Sequence, residues 1–314
     1  MIKLMDAQSA ESFLLPQLTY IEREVYTIRY PQIRYPELVP IDTDAPEWIP
    51  SVTYFSMDGV GQANWFSARA QDVPLAEVVR SKFETSIKMA AIGYAYDLEE
   101  ISQAAMLGRN LTADKARYAR MAAEQFLDVA ALFGDTTAGF KGLLNSSDVT
   151  AVIAPATGTG NTTQWVNKTP AQILSDVNNT LSGIWISTQT LEMADTLLLP
   201  LAAFNYISNT RLSDLTSTTI LQWLREVNSF TADNGRPLMI RGIRGLDVAG
   251  AGGTGRMVAY WRDPAVVKMH LPMPFRFLPE PFRSRPLYWE IPGIFRFGGV
   301  DIRRPAAFRY VDGI

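Results

Sequence analysis

The chain has 314 residues, 47% of them hydrophobic and 19% charged, with a net charge of −3. That balance describes a globular protein of one large or two medium domains, and its slight acidity argues against tight nucleic-acid binding by the whole chain. With no cysteine and one histidine, His270, disulfides, thiolate metal sites and most catalytic triads are out of reach, and the chain fits synthesis in a reducing cytosol.

No apolar run approaches about 18 residues, so no membrane-spanning helix is expected, and the start Met-Ile-Lys-Leu-Met-Asp lacks the pattern of a signal peptide. No tight Asp/Glu cluster has metal-ligand spacing. The composition leans away from catalysis, so no catalytic residue, metal or cofactor is expected.

Residues 1–47 form an extended arm punctuated by Pro16, Pro31, Pro36, Pro40 and Pro46. Tyr20, Tyr26, Tyr30 and Tyr35 give it aromatic side chains that want a partner surface. Up to Pro50 it carries four basic against eight acidic residues. Residues 48–80 hold a hairpin. Ser51–Met57 reads as one strand, Asp58-Gly59 as the turn and Gln62–Ala68 as the return. Val52 and Tyr54 fall on one face of this ribbon, Phe55 and Met57 on the other. A two-stranded ribbon apolar on both faces must lie against something.

Lys82–Tyr96 reads as a longer strand. Asp97 opens a short helix with Leu98, Ile101 and Ala105 as its inner face. A long helix is predicted over 112–134, from Thr112 as N-cap to Gly134 as the left-handed terminator. Its stripe is Ala116, Ala119, Ala123, Phe126, Leu127, Ala130 and Phe133. The run Gly139-Phe-Lys-Gly-Leu-Leu-Asn145 follows, then a loop over 146–168. Thr169-Pro-Ala-Gln172 is a capping box that opens a helix. Strands near 195–201 and 237–243 and a helix near 217–228 make residues 151–256 a mixed α/β unit. The tail, 257–314, reads as strands over 257–262, 266–271, 287–291 and 294–303. Its arginines oppose the acidic arm in sign, which suits contact within one chain or between copies.

Two motifs mislead. Gly250-Ala-Gly-Gly-Thr-Gly255 matches the dinucleotide fingerprint by letter, but a strand follows it where a helix is required. His270, between Met269 and Leu271 in a strand, reads as structural.

The order of parts resembles the major capsid proteins of tailed bacteriophages, whose Hong Kong-type fold is shared with encapsulin shells. The resemblance rests on Tyr94-Ala-Tyr-Asp-Leu-Glu-Glu-Ile, on Ala131-Leu-Phe-Gly-Asp and on Gly139-Phe-Lys-Gly-Leu-Leu-Asn145. It covers nearly the whole chain. It implies an α+β fold: an N-terminal arm (1–47), an extended E-loop hairpin (48–80), a P-domain with a long spine helix and sheet (81–150), a mixed α/β A-domain (151–256) and return strands completing the P-domain (257–314). It implies a shell of hexamers and pentamers around double-stranded DNA contacted non-specifically. It further implies portal and scaffolding or cement partners, and a virion component made in the host bacterial cytoplasm. In such shells the loop reaches over an adjacent subunit. Tyr54, Phe55, Met57, Trp65 and Phe66 of the hairpin and Tyr26, Tyr30 and Tyr35 of the arm are therefore expected at inter-subunit contacts. An encapsulin-type compartment holding protein cargo would share the fold. A cytosolic α/β enzyme with a carboxylate site is the rival from another class.

Overall fold

An alanine-rich stretch without Gly or Pro, residues 109–133, carries the longest helix among the described residues, Leu111–Phe133, about 34 Å at 1.5 Å per residue. A computed structural model describes residues 31–60, 76–106, 111–213, 215–278, 282–285 and 287–314. The chain divides into Met1–Gln32 and a body, Ile33–Ile314. The helices and strands of the described residues all belong to the body. Tyr26, Tyr30, Trp65 and Phe66 lie outside the described residues.

Gly134 ends the long helix with a φ of +72°, the left-handed conformation that a side chain disfavours. The chain then doubles back. The amides of Leu143 and Leu144 donate to the carbonyls of Ala131 and Leu132 at 2.9 and 3.0 Å, and Asn145 Nδ2 donates to the Phe133 carbonyl at 2.6 Å. The last-turn carbonyls, which no intrahelical amide can reach, are thus satisfied by the Gly139–Asn145 run.

The organising element of the body is a five-stranded sheet. Its order is Met239–Ile243, Thr196–Pro200, Arg256–Tyr260, Phe308–Asp312, Ala151–Ile153. The first and last neighbouring pairs are parallel and the two central ones antiparallel. Successive strand side chains point to opposite faces, and here both faces are buried. Leu198, Val258, Tyr260, Phe308 and Tyr310 face a core shared with Ala123, Leu127, Ala130 and Ala131 of the long helix. Leu197, Leu199, Met257, Ala259 and Val311 face a second core with Ile173, Val177, Leu181 and Ile184 of the helix Pro170–Ser187. That helix starts from the expected capping box: Thr169 accepts from the Gln172 amide and Gln172 from the Thr169 amide. A second box at Thr219 and Gln222 starts Ile220–Glu226.

The tail was expected to complete a sheet with residues 81–150, and its pairing divides instead. Gly293–Phe297 pairs with Lys88–Ala91, and Tyr288–Ile291 with Tyr94–Asp97. Arg256–Tyr260 and Phe308–Asp312 sit inside the five-stranded sheet, so a boundary at residue 256 does not separate two sheets. The expected strand Lys82–Tyr96 is three strands, Glu77–Ser86, Lys88–Ala91 and Tyr94–Asp97.

The ribbon also differs from its expected form. Ser51–Val60 pairs with Glu77–Ser86 in continuous antiparallel register, with Asp58 opposite Val79 and Gly59 opposite Val78. Asp58-Gly59 is therefore strand and not turn. A local turn preference of one dipeptide loses to a ladder of ten pairs, and the partner strand starts 17 residues further on.

Candidate inter-subunit surface

At about 3.4 Å per residue each ribbon strand is roughly 34 Å long, and its large apolar side chains are left to solvent. Phe55 and Met57 are 67% and 66% exposed, and Val78, Val79 and Phe83 are also exposed. Opposed residues in an antiparallel pair share a face. Phe55, Met57 and Val78 therefore lie on one face with Lys82 and Arg80. Tyr54, Phe83 and Val79 lie on the other. The rings of Tyr54 and Phe83 stack at 5.1 Å, and the guanidinium of Arg303 sits 4.6 Å from the Tyr54 ring. That contact joins the ribbon root to the last strands of the body. A groove of about 550 Å³ opens beside it, lined among others by Tyr54, Phe83, Phe140, Lys141, Asp148 and Arg303.

A second apolar surface was not legible from sequence. Phe126 belongs to the expected inner stripe of the long helix, yet it is 45% exposed, as is Val129, and Tyr118 is exposed with them. At 100° per residue Tyr118 and Val129 share one side, away from buried Ala119, Ala123 and Leu127, while Phe126 lies beside Ala119 at the edge of the buried face, its ring edge-on to Phe295 at 5.8 Å. Near the helix end a groove of about 290 Å³ is lined by Phe126, Val129, Ala130 and Phe133. On the short helix Leu98–Met106, Leu98 and Ile101 were expected to point inward and are exposed. Exposed apolar side chains grouped in this way make a candidate for association.

Tyr35 is placed differently from the other aromatics expected at a subunit contact. It is buried in the chain's own first core, and its hydroxyl donates to Glu124 Oε2 at 2.8 Å. Burial and the neighbouring carboxylates push its phenol well above the ordinary range. It anchors a strap, residues 33–50, to its own body and has no surface to offer a second subunit. The reason is the one-turn helix Tyr35–Leu38. Its first amides are orphan donors, and Asp128 of the long helix accepts those of Arg34 and Tyr35 at 2.8 and 3.0 Å. Asp128 is itself buried and also binds Arg244 at 3.0 Å. Sequence reading missed Asp128. Its neighbours one turn away are Glu124 and Gln125 before it and Ala131 and Leu132 after it, so the periodicity did not mark it as buried.

The opposite charges of arm and tail meet within one chain: Asp42 pairs with Lys268 at 3.2 Å and Glu47 with Arg276 at 2.8 Å. Glu37 of the arm pairs with Arg241 of the α/β unit at 2.7 Å. The hydrogen bond from Arg241, helped by Arg34, holds the Glu37 carboxyl below the usual carboxylate range. Burial alone would raise Asp312, but the hydrogen bonds from Arg256 and the Ala251 amide outweigh it and lower its pKa. The Ala251 amide belongs to the glycine-rich run. That loop closes on the chain's own carboxylate at 3.0 Å, and the strand Arg256–Tyr260 follows it. Among the described residues, no three His, Asp or Glu side chains converge as a metal site, and no helix is long and apolar enough to cross a membrane.

Among curated proteins no sequence matches the chain. Among solved structures, it is similar to the capsid of Myoviridae phage XM1, with a TM-score of 0.77, 16% identity and coverage of 95% of this chain and 98% of that one. It is similar to the capsid of an empty GTA particle, with a TM-score of 0.63, 13% identity and coverage of 98% and 99%. For Mycobacterium phage Ogopogo the TM-score is 0.59, the identity 12% and the coverage 96% and 98%. At such identities the likeness speaks for the fold. The family model described as "Major capsid protein" matches residues 61–314. The chain belongs to the major capsid protein family, and its role is structural, as a copy that associates with others into a phage shell.

Proposed function

We propose that copies of this chain assemble as hexamers and pentamers into the icosahedral head of a tailed phage or prophage and enclose double-stranded DNA. The observation that carries the reading is the ribbon. Ten paired residues per strand expose Phe55, Met57 and Val78 on one face and Val79 and Phe83 on the other, a surface that stays unsatisfied in a lone subunit. The ribbon acts as the E-loop and reaches over an adjacent copy, so Tyr54, Phe55 and Met57, with Trp65 and Phe66 beyond them, are contact residues. The long helix is the spine of the P-domain, which the paired strands 88–97 and 273–297 complete. The A-domain is built on the five-stranded sheet and takes in two strands of the tail. The arm, residues 1–32 with Tyr26 and Tyr30, contacts neighbouring copies.

Portal and scaffolding or cement proteins complete the particle, and the chain is made in the host bacterial cytoplasm and ends in the virion. The role needs no catalytic step and no cofactor. DNA is held without sequence preference and in a salt-labile way, because such affinity follows the phosphates neutralised by Lys and Arg. Electron microscopy of the expressed chain, with and without candidate scaffolding protein, is expected to show closed shells. A monodisperse small oligomer under all conditions would overturn the reading, and particles filled with protein cargo in place of nucleic acid would replace it with a nanocompartment.

A further inference from the structure

His270 is the chain's one histidine, and its side chain is 1% exposed. It lies in the strand Val267–His270, central in a small sheet between Ile41–Asp42 of the strap and Val300–Ile302. Two carboxylates face its ring from opposite neighbours. Asp42 Oδ2 is 3.7 Å from Nδ1, and Asp301 Oδ2 is 3.6 Å from Nε2. Nε2 is buried and has no hydrogen-bond partner.

The charges around the ring come from each packed element. The strap brings Asp42, whose Oδ1 accepts the Asp44 amide. The histidine's own strand brings Lys268, 3.2 Å from Asp42. The strand Val300–Ile302 brings Asp301, and Arg303 lies 3.3 Å from it. On the ribbon side Gly298 lies between the histidine Cβ and Ile87, next to the ribbon root. Two pairs of opposite charge thus surround a ring that is neutral or positive. In neutral imidazole one nitrogen is a bare acceptor, and here either choice aims that lone pair at a carboxylate. The doubly protonated ring offers a donor to each. Both separations exceed a hydrogen bond by less than 1 Å.

The same contacts form a continuous path. It runs from Tyr54 of the ribbon to Arg303, Asp301, His270 and Asp42 of the strap. We propose that His270 is a proton-operated clasp: protonation draws Asp42 and Asp301 onto its two nitrogens and fastens the roots of the strap and ribbon to the body, and loss of the proton loosens both. Imidazole is the side chain whose charge a mild change of pH can alter. Its bearing on assembly rests on the ribbon's role in the shell; the clasp itself does not.

The test is hydrogen exchange of the unassembled full-length chain at pH 5.5 and 7.5, corrected for intrinsic exchange. It reads the amides that bind this sheet together: Met269 to Pro40, Leu271 to Asp42, His270 to Gly299 and Gly298 to His270. Protection is expected to be about tenfold greater at pH 5.5, the scale of a charge-assisted hydrogen bond. His270→Gln should remove the pH dependence. Asp42→Asn and Asp301→Asn, which keep the ring, should each shrink it and carry the test if the glutamine variant does not fold. Equal pH dependence in wild type and variants, or better protection at pH 7.5, overturns the clasp. Because the measurement is made before assembly, its failure leaves the shell reading standing, and failure to see shells leaves the clasp standing.

Discussion

Replacing Asp128 by alanine removes the acceptor for two backbone amides that begin the one-turn helix of the strap. The Tyr35 amide is in a buried contact and the Arg34 amide in a partly buried one. A buried donor left without a partner costs about 1–3 kcal/mol. Arg244 is 39% exposed, so losing its ion pair adds little. Together these come to about 2–5 kcal/mol. Asp128→Asn keeps a side-chain oxygen where both amides point and gives up mainly the charge, at about 1 kcal/mol. For a body of this size that corresponds to a fall in melting temperature of about 4–10 °C for alanine and about 2 °C for asparagine, read by thermal unfolding of the unassembled chain. Tryptic cleavage after Arg34 should quicken in the alanine variant, because the strap root loses its anchor while the rest of the body remains. If asparagine costs as much as alanine, the ion pair carries the site and the capping argument is wrong; if neither variant shifts, Asp128 does not hold the strap.

Three further outcomes are expected from the same contacts. Ala123, 1% exposed in the first core, should not tolerate aspartate, which would bury an unpaired charge; Arg117→Gln on the exposed side should stay within about 0.5 kcal/mol, and equal thermal shifts would refute the assignment of faces. Phe55→Ser with Met57→Ser should leave circular dichroism unchanged and weaken or abolish closed shells under the microscope, as should Trp65→Ser with Phe66→Ser; normal shells of unchanged thermal stability would make the ribbon a feature of its own subunit only. Glu37 and Asp312 have folded pKa values below their unfolded ones, so the stability they contribute is present above about pH 4 and is lost as pH falls through the folded values. Melting temperature should therefore drop between about pH 5 and 3, less steeply in Glu37→Gln, and an identical slope in that variant would contradict the role given to Arg241.

Features whose cause lies within a few residues were readable from the sequence. The long helix was expected over 112–134 and spans Leu111–Phe133, because an Ala-rich run without Gly or Pro leaves one low-energy conformation. Gly134 and the Thr169–Gln172 box terminate and start their helices as expected, since capping is settled by neighbours three or four positions away. The charge opposition of arm and tail was also legible, because sign needs no geometry. Tertiary structure alone decided the rest. Which strands pair depends on residues far apart in the chain, so the tail was assigned to one sheet when it serves several, and Asp58-Gly59 was read as a turn when a distant strand pairs straight through it. Burial is likewise collective. Tyr35 looked like a surface aromatic until Asp128 and Glu124 drew it into the core, and Phe126 looked like core but sits at the edge of the buried face, packed on Phe295 on one side and open to solvent on the other. A side chain's periodicity names the face it belongs to; only the packed neighbours decide whether that face meets its own chain, solvent or another copy.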